Sequence, residues 1–206
     1  KEEELFYNRT YLEYVKNSFP IKRKGYLHMC NFTVNMYKYP NTDLHKYDYV
    51  MTHDDEAGYL KQMQLDPFNT INKSNEYFIA YDVGKRLKEG KPHQGHFDTR
   101  IGLWDFTKNF ILDNNIKPKS SQLSKLIEDK NAEINFHYLD WCDSYIINTK
   151  MFKMDLWNKW INAINNYGGI YKYRWGDNEI YSLFSHMIQE KIICTNTVKD
   201  GFHNQG

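Results

Sequence analysis

Four consecutive residues, His53, Asp54, Asp55 and Glu56, close an apolar and aromatic run in the stretch YDYVMTHDDEAGY. The run before them reads as a buried strand. In extended backbone, residues two apart point to the same side, so Asp54 and Glu56 project together. Two carboxylates facing one way repel each other unless a cation lies between them. Hard oxygen donors suit Mn2+ or Mg2+, ions that typically keep open positions for phosphate oxygens. Such a cation neutralises a diphosphate leaving group, which is the chemistry of nucleotide-sugar transfer. The same four residues also suit a solvated acidic turn with no chemical role. Aromatic residues make up 17% of the chain, enough to fill a core and to build platforms for sugars, with Trp141, Tyr173 and Trp175 as candidates.

The elements that would carry this stretch follow from hydrophobic periodicity. Helices are expected over 2–17, over 26–39 with Met29, Phe32, Met36 and Tyr37 as its apolar positions, and in a short segment after Pro67. Asp98 is expected to cap a helix carrying Ile101, Trp104, Phe110 and Ile111. A further helix is expected over 121–129. The clearest helix spans 151–167, where Phe152, Leu156, Trp160, Ile161 and Ile164 form a stripe that Gly168 and Gly169 stop. Asp177 opens a last helix with Ile180, Phe184 and Ile188.

Strands are expected at 47–52, 76–83, 144–149, 170–175 and 191–197, with 84–96 a polar loop and 198–206 a tail. Strands that alternate with helices make the class α/β, with a central parallel or mixed sheet. In such sheets ligands collect beyond the carboxyl ends of the strands, which is where residues 53–56 fall.

Bulk properties exclude several classes. The 206 residues suffice for one sizeable core and one domain. A net charge of +1 gives no electrostatic pull toward nucleic acid. No apolar run approaches the ~20 residues of a membrane helix, and KEEELFYNRTYLEY lacks the apolar region of a signal peptide. The three cysteines, Cys30, Cys142 and Cys194, suit buried thiols better than a disulfide framework or a zinc cluster.

Several segments in one order resemble the fungal-type α-1,2-mannosyltransferases, glycosyltransferase family 15. KYDYVMTHDDE (46–56) is similar to that family's KYDYYWRVEPD, and YLHMCNFTVNMYKYP (26–40) to its YRxMCRFxSGFFxxHP. GLWDFTKNFI (102–111), DWCDSYIINTKMFK (140–153) and DGFHN (200–204) have counterparts in the same order. GGIYKYRWGDNEIYSLF (168–184) resembles GGFYYERWGDAPVHSIA closely, with Gly-Gly and Arg-Trp-Gly-Asp at the same spacing.

The resemblance implies a GT-A-like (Rossmann-like) mixed central sheet flanked by helices. It also implies a single catalytic domain over 1–206 that transfers mannose from GDP-mannose with Mn2+. By the same likeness, Asp54, Glu56 and His203 are metal ligands. Asp54, Asp55 and Tyr26 face the nucleotide; Asp55 stands where the family has proline. Tyr145 occupies the position of the glutamate proposed as the family's nucleophile. A phenol with an unperturbed pKa of about 10 is a poor substitute. Asp143, two residues earlier and so on the same side of a strand, is the candidate to stabilise an oxocarbenium-like transition state, with Asp140 its rival. Asp177 is a second catalytic candidate, as a general base ionised by a helix N-terminus.

Family members carry a nucleotide-binding strand before the segment that matches 26–40, whereas the residues before Tyr26 here read as helix. The expected partners are therefore a nucleoside-diphosphate sugar, GDP-mannose or a UDP-hexose, and a glycan or glycoprotein acceptor. An inverting UDP-sugar transferase, a metal-dependent phosphoesterase and a catalytically inactive carbohydrate-binding domain are the alternatives.

Overall fold

The computed structural model describes residues 24–39, 42–52, 57–59, 66–74, 76–82, 87–88, 91–92, 99–130, 132, 136, 139, 144–190, 193–194 and 201–203; for several of the strand residues it describes the backbone alone. The expected helix over 2–17, Asp98, Asp140, Trp141, Asp143 and residues 53–56 lie outside this set.

The central sheet has four strands in the order β1-β6-β3-β7: β1 (Tyr49–Thr52), β3 (Phe78–Asp82), β6 (Ser144–Asn148) and β7 (Ile193–Cys194). It is mixed, as expected, but two of its three pairings are antiparallel. β6 runs antiparallel to both β1 and β3, and only β3 and β7 are parallel. β2 (Ala57–Tyr59) forms a separate antiparallel pair with β8 (Gly201–His203), so part of the expected tail is strand. Within the expected loop 84–96, β4 (Leu87–Lys88) and β5 (Lys91–Pro92) form a short antiparallel pair.

The helices are α1 (Lys24–Asn35), α2 (Pro67–Ser74), α3 (Leu103–Asp113), α4 (Ser121–Glu128), α5 (Asp155–Tyr167), α6 (Gly169–Tyr173) and α7 (Asp177–Ile188). α7 is buried along almost its whole length, from Ile180 to Ile188, and packs on α1 and α4. Tyr145 and Ile147, two apart on β6, join the main core with Phe78 and α7. Ile146 is fully buried outside that cluster, as is Ile71 of α2, which packs on β6 and β3. The sheet thus carries its main helical layer on one face and α2 on the other, as the period of two along β6 requires.

Two helical faces differ from the sequence reading. In α1 the buried positions are Leu27, Cys30, Val34 and Asn35, while Met29 and Phe32 are 42% and 52% exposed. Met36, just past the helix, is buried in the core and Tyr37 packs against it, so the expected apolar positions hold at the end of the segment and fail at Met29 and Phe32. α3 begins at Leu103 after Gly102 in the left-handed region (φ 66°), which leaves Ile101 outside the helix and 44% exposed.

The segment 170–175, expected as a strand, is helical through Tyr173. Gly168 (φ 73°) ends α5 by donating its N–H to Ile164 O at 2.9 Å, the left-handed helix stop that glycine favours. Its N-cap role then lets α6 start at once. A Cβ on Gly169 would run into the indole of Trp175, so the second glycine is there for close approach rather than for φ.

Candidate active site

The turn between α6 and α7 sets one carboxylate. Arg174 ends α6 at φ 57°, a left-handed conformation that costs a non-glycine residue roughly 1 kcal/mol. Its guanidinium lies 4.8 Å from the centre of the Tyr26 ring, within cation–π range. Trp175, fully buried, donates its indole N–H to Ile101 O at 2.7 Å. Gly176 follows in extended backbone as N-cap, and a Cβ there would collide with the Glu179 carboxylate. Asp177 is then the first residue of α7.

Asp177 is 9% exposed. Tyr145 donates its hydroxyl to Asp177 Oδ2 at 3.3 Å, and the Cys30 thiol donates to Oδ1 at 3.4 Å. Burial pushes the Asp177 pKa up, from 3.8 to about 6; the Cys30 hydrogen bond opposes that rise, the nearby Glu179 charge adds to it, and the Tyr145 bond opposes it. The helix N-terminus was expected to keep this group fully ionised. Desolvation outweighs it here, leaving a carboxylate that titrates near neutrality.

The surrounding groups are held neutral or paired. Burial raises the Tyr26 phenol well above its ordinary value, with the Cys30, Glu179 and Asp177 charges adding and Arg174 opposing. Burial also raises Cys30 and Tyr181. Glu179, 4% exposed, pairs with Arg100: its Oε1 lies 3.3 Å from Nη2 and accepts from Nε at 3.3 Å and from Thr99 Oγ1 at 3.1 Å. Sequence reasoning missed Arg100 and Glu179, and it treated Cys30 as core filler. No spacing rule joins position 30 or 100 to the start of α7.

Of the residues singled out in the sequence, Tyr26, Tyr145 and Asp177 come together around this turn. Tyr145 is 1% exposed, its ring 5.3 Å from Phe78 and 4.9 Å from Tyr181. It meets Asp177 rather than an open surface. Trp175, offered as a sugar platform, is core. Asp54, Asp55, Glu56 and Asp143 lie outside the described residues. The backbone describes one of the expected ligand positions. His203 pairs with Ala57, the residue that follows Glu56 in the chain. A donor set of carboxylates with one imidazole fits Mn2+. Among the described residues themselves no group of three His, Cys, Asp or Glu is arranged to hold a metal.

β1 pairs Thr52 with Tyr145 at the end from which residues 53–56 continue, and β3 ends at the same edge, with Ala80 opposite Tyr145. The Asp177 cluster therefore sits at the carboxyl end of β1 and β3, where α/β sheets collect ligands.

Comparison with known proteins places the chain in a family. The chain is 22% identical over 162 residues to the O-glycoside alpha-1,2-mannosyltransferase omh1 of Schizosaccharomyces pombe, covering 78% of this chain and 39% of that protein. It is 26% identical over 168 residues to the probable mannosyltransferase MNT3 of Candida albicans, covering 82% and 41%. The chain thus spans about two fifths of the length of the curated relatives it matches.

Two solved structures share the fold. They are the mannosyltransferase Ktr4p of S. cerevisiae in complex with GDP (TM-score 0.67, 18% identity, 97% of this chain and 52% of that one) and core-mannan synthase A of Aspergillus fumigatus in its Mn/GDP form (TM-score 0.68, 19% identity, 95% and 53%). A family model described as glycolipid 2-alpha-mannosyltransferase matches residues 8–199, and the chain belongs to that family.

Proposed function

We propose that the chain is the catalytic domain, GT-A-like in fold, of a metal-dependent glycosyltransferase that moves mannose from a nucleoside-diphosphate sugar to a glycan or glycoprotein. The observation that carries the reading is the carboxylate of Asp177, buried at the head of α7 with a pKa of about 6 and two donors on its oxygens. A base poised near the working pH is matched to taking the proton of an acceptor hydroxyl. Tyr145, too buried to touch a substrate, acts through Asp177 as a positioning residue. Tyr26, under the Arg174 guanidinium, stands beside the same turn and supports a role at the donor side. Asp54, Asp55, Glu56 and His203 are the residues that would hold Mn2+ and the diphosphate. A cation held there supplies charge neutralisation for the departing nucleotide. Asp143 remains the candidate for stabilising positive charge on the sugar.

One observation favours a second reading of the stereochemistry. Where the family carries a carboxylate proposed as nucleophile, Tyr145 is 1% exposed and directs its proton to Asp177. A single displacement with inversion needs no nucleophile at that position. The anomeric configuration of the product, read by NMR, separates this from retention.

Thermal unfolding in the presence of GDP, UDP or CMP, each with and without Mn2+, tests the main reading. A ligand at 100 times its Kd adds about 2.7 kcal/mol, so Tm should rise by about 5–10 °C for a chain of this size. The rise is expected with one nucleotide, only with metal, and it should vanish in Glu56→Ala. No response to any pair would sink the reading.

A further inference from the structure

At the opposite end of β1 from residue 53 the structure has a cleft of about 580 Å³. Its floor is the start of β1 and the end of β6, where Tyr49 pairs with Asn148; α2 forms its wall. The backbone here is fixed. Asp48 O accepts the N–H of Thr149 at 2.8 Å, and Thr149 Oγ1 donates to Tyr47 O at 2.7 Å.

The polar groups facing the cleft are half-committed, each with capacity left over. Tyr49 donates its hydroxyl to Asn72 Oδ1 at 3.0 Å, which leaves the Asn72 amide as a donor and the phenol oxygen as an acceptor. Asn148 Oδ1 accepts from Lys150 N at 3.0 Å, which leaves its amide as a donor. Asp66 Oδ1 accepts from Phe68 N at 2.9 Å, which leaves Oδ2. Asp48, Asn69 and Lys150 make no side-chain hydrogen bond among the described residues.

The chemistry narrows the ligand. Two carboxylates against one ammonium give the cleft a formal charge of −1, which disfavours phosphate and nucleotide. No group of three metal ligands occurs among the described residues. What remains is dense, alternating donor and acceptor capacity beside an apolar face. The Phe68 ring, 39% exposed, meets Tyr49 edge-on at 6.4 Å. A pyranose matches that combination, with vicinal hydroxyls for the carboxamides and carboxylates and C–H groups for the ring. The volume lies within the range of small-ligand sites.

We propose that this cleft is a second saccharide-binding site, separate from the Asp177 centre, that takes a neutral hexose unit of a glycan. The preset hydrogen bonds lower the ordering cost of binding. The choice of mannose as probe rests on the transferase reading; the cleft chemistry does not. A glycan seated there would be held at the far end of the sheet from the reaction centre, so the site retains a glycan substrate rather than reacting it.

The test is a titration of the isotope-labelled full chain with α-1,2-mannobiose, without nucleotide or metal, followed by two-dimensional NMR. Amides of 48–50, 66, 68–72 and 148–150 are expected to shift, with a Kd of about 1 mM for so small a ligand. Asn69→Ala and Lys150→Ala should each weaken binding by about fivefold or more, with Tm unchanged. Tyr145→Phe should leave it unaltered. Shifts confined to Tyr26, Arg174 and Asp177, or none up to about 20 mM, overturn the site. A Gly-Asn-Gly peptide that shifts the same amides as strongly overturns the saccharide assignment. Failure of the transferase reading would look different: cleft shifts intact, but no stabilisation by any nucleotide with Mn2+.

Discussion

The Tyr145 hydroxyl donates to Asp177 Oδ2 at 3.3 Å across the sheet–helix boundary, joining the second residue of β6 to the first of α7. This bond lowers the pKa of Asp177 against a larger rise from burial. Tyr145→Phe keeps the ring against Phe78 and Tyr181 and removes only the donor. The loss should cost about 0.5–1.5 kcal/mol and move the Asp177 pKa above 6. Under the transferase reading, the acidic limb of the kcat/KM profile shifts to higher pH while the Mn2+-dependent nucleotide stabilisation stays. An unmoved limb would remove Tyr145 from any positioning role.

Asp177 itself links pH to stability. Its folded pKa is about 6 against an ordinary 3.8, so between these values the folded state binds more protons than the unfolded. Stability therefore falls as pH rises from about 4 to 6, and above that it stays lower by on the order of 3 kcal/mol at most. In Asp177→Asn the group no longer titrates, although one of its two donors loses an acceptor. The variant's stability relative to the parent should climb across this window in urea unfolding, while turnover is lost. A gap that stays flat with pH would show that the carboxylate is not desolvated as described.

Gly169 offers a purely steric prediction. Gly169→Ala places a methyl against the Trp175 indole, which is buried and tied to Ile101 O. Overpacking of this kind costs about 1–3 kcal/mol, or roughly 2–12 °C in Tm at this chain length. Gly168→Ala acts differently, through φ 73°, and should cost about 1 kcal/mol. Because the Trp175 turn carries Asp177, Gly169→Ala should also depress turnover beyond its effect on stability; Gly168→Ala should not.

The sequence made some of this legible and hid the rest for physical reasons. The glycine stop of α5 and the last helix starting at Asp177 follow from local periodicity and appear in the structure; of the expected stripe Trp160, Ile161 and Ile164 are buried on α5, while Phe152 falls in a 3-10 turn before the helix starts at Asp155. Segment 170–175 reads as strand from its tyrosines, yet it folds as α6 through Tyr173 because Gly168 and Gly169 allow an immediate restart against Trp175. Asp177 was visible at the start of the last helix, where it is the first residue after the Gly176 cap rather than the cap itself, but its elevated pKa was not, since burial is a tertiary property. Cys30 and Tyr145 reach it from 147 and 32 residues away in sequence. The pairing of Ala57 with His203 likewise joins distant parts of the chain that no local pattern connects.

The Arg100–Glu179 pair gives the last prediction. Both side chains are almost fully buried, at 1% and 5% exposure, and Glu179 stands two residues from Asp177. Arg100→Met removes a buried cation from the Glu179 carboxylate, and breaking a buried pair in this way typically costs about 3–5 kcal/mol. Adding Glu179→Gln removes the stranded charge, so the double variant should recover most of that loss, measured by urea unfolding at pH 7. The double variant also has a consequence at the reaction centre. Glu179 raises the Asp177 pKa, so neutralising it should lower that value and move the acidic limb of the pH profile down, opposite to Tyr145→Phe. Two variants that displace one limb in opposite directions would tie it to Asp177, whereas limbs that move together would assign the titration to another group.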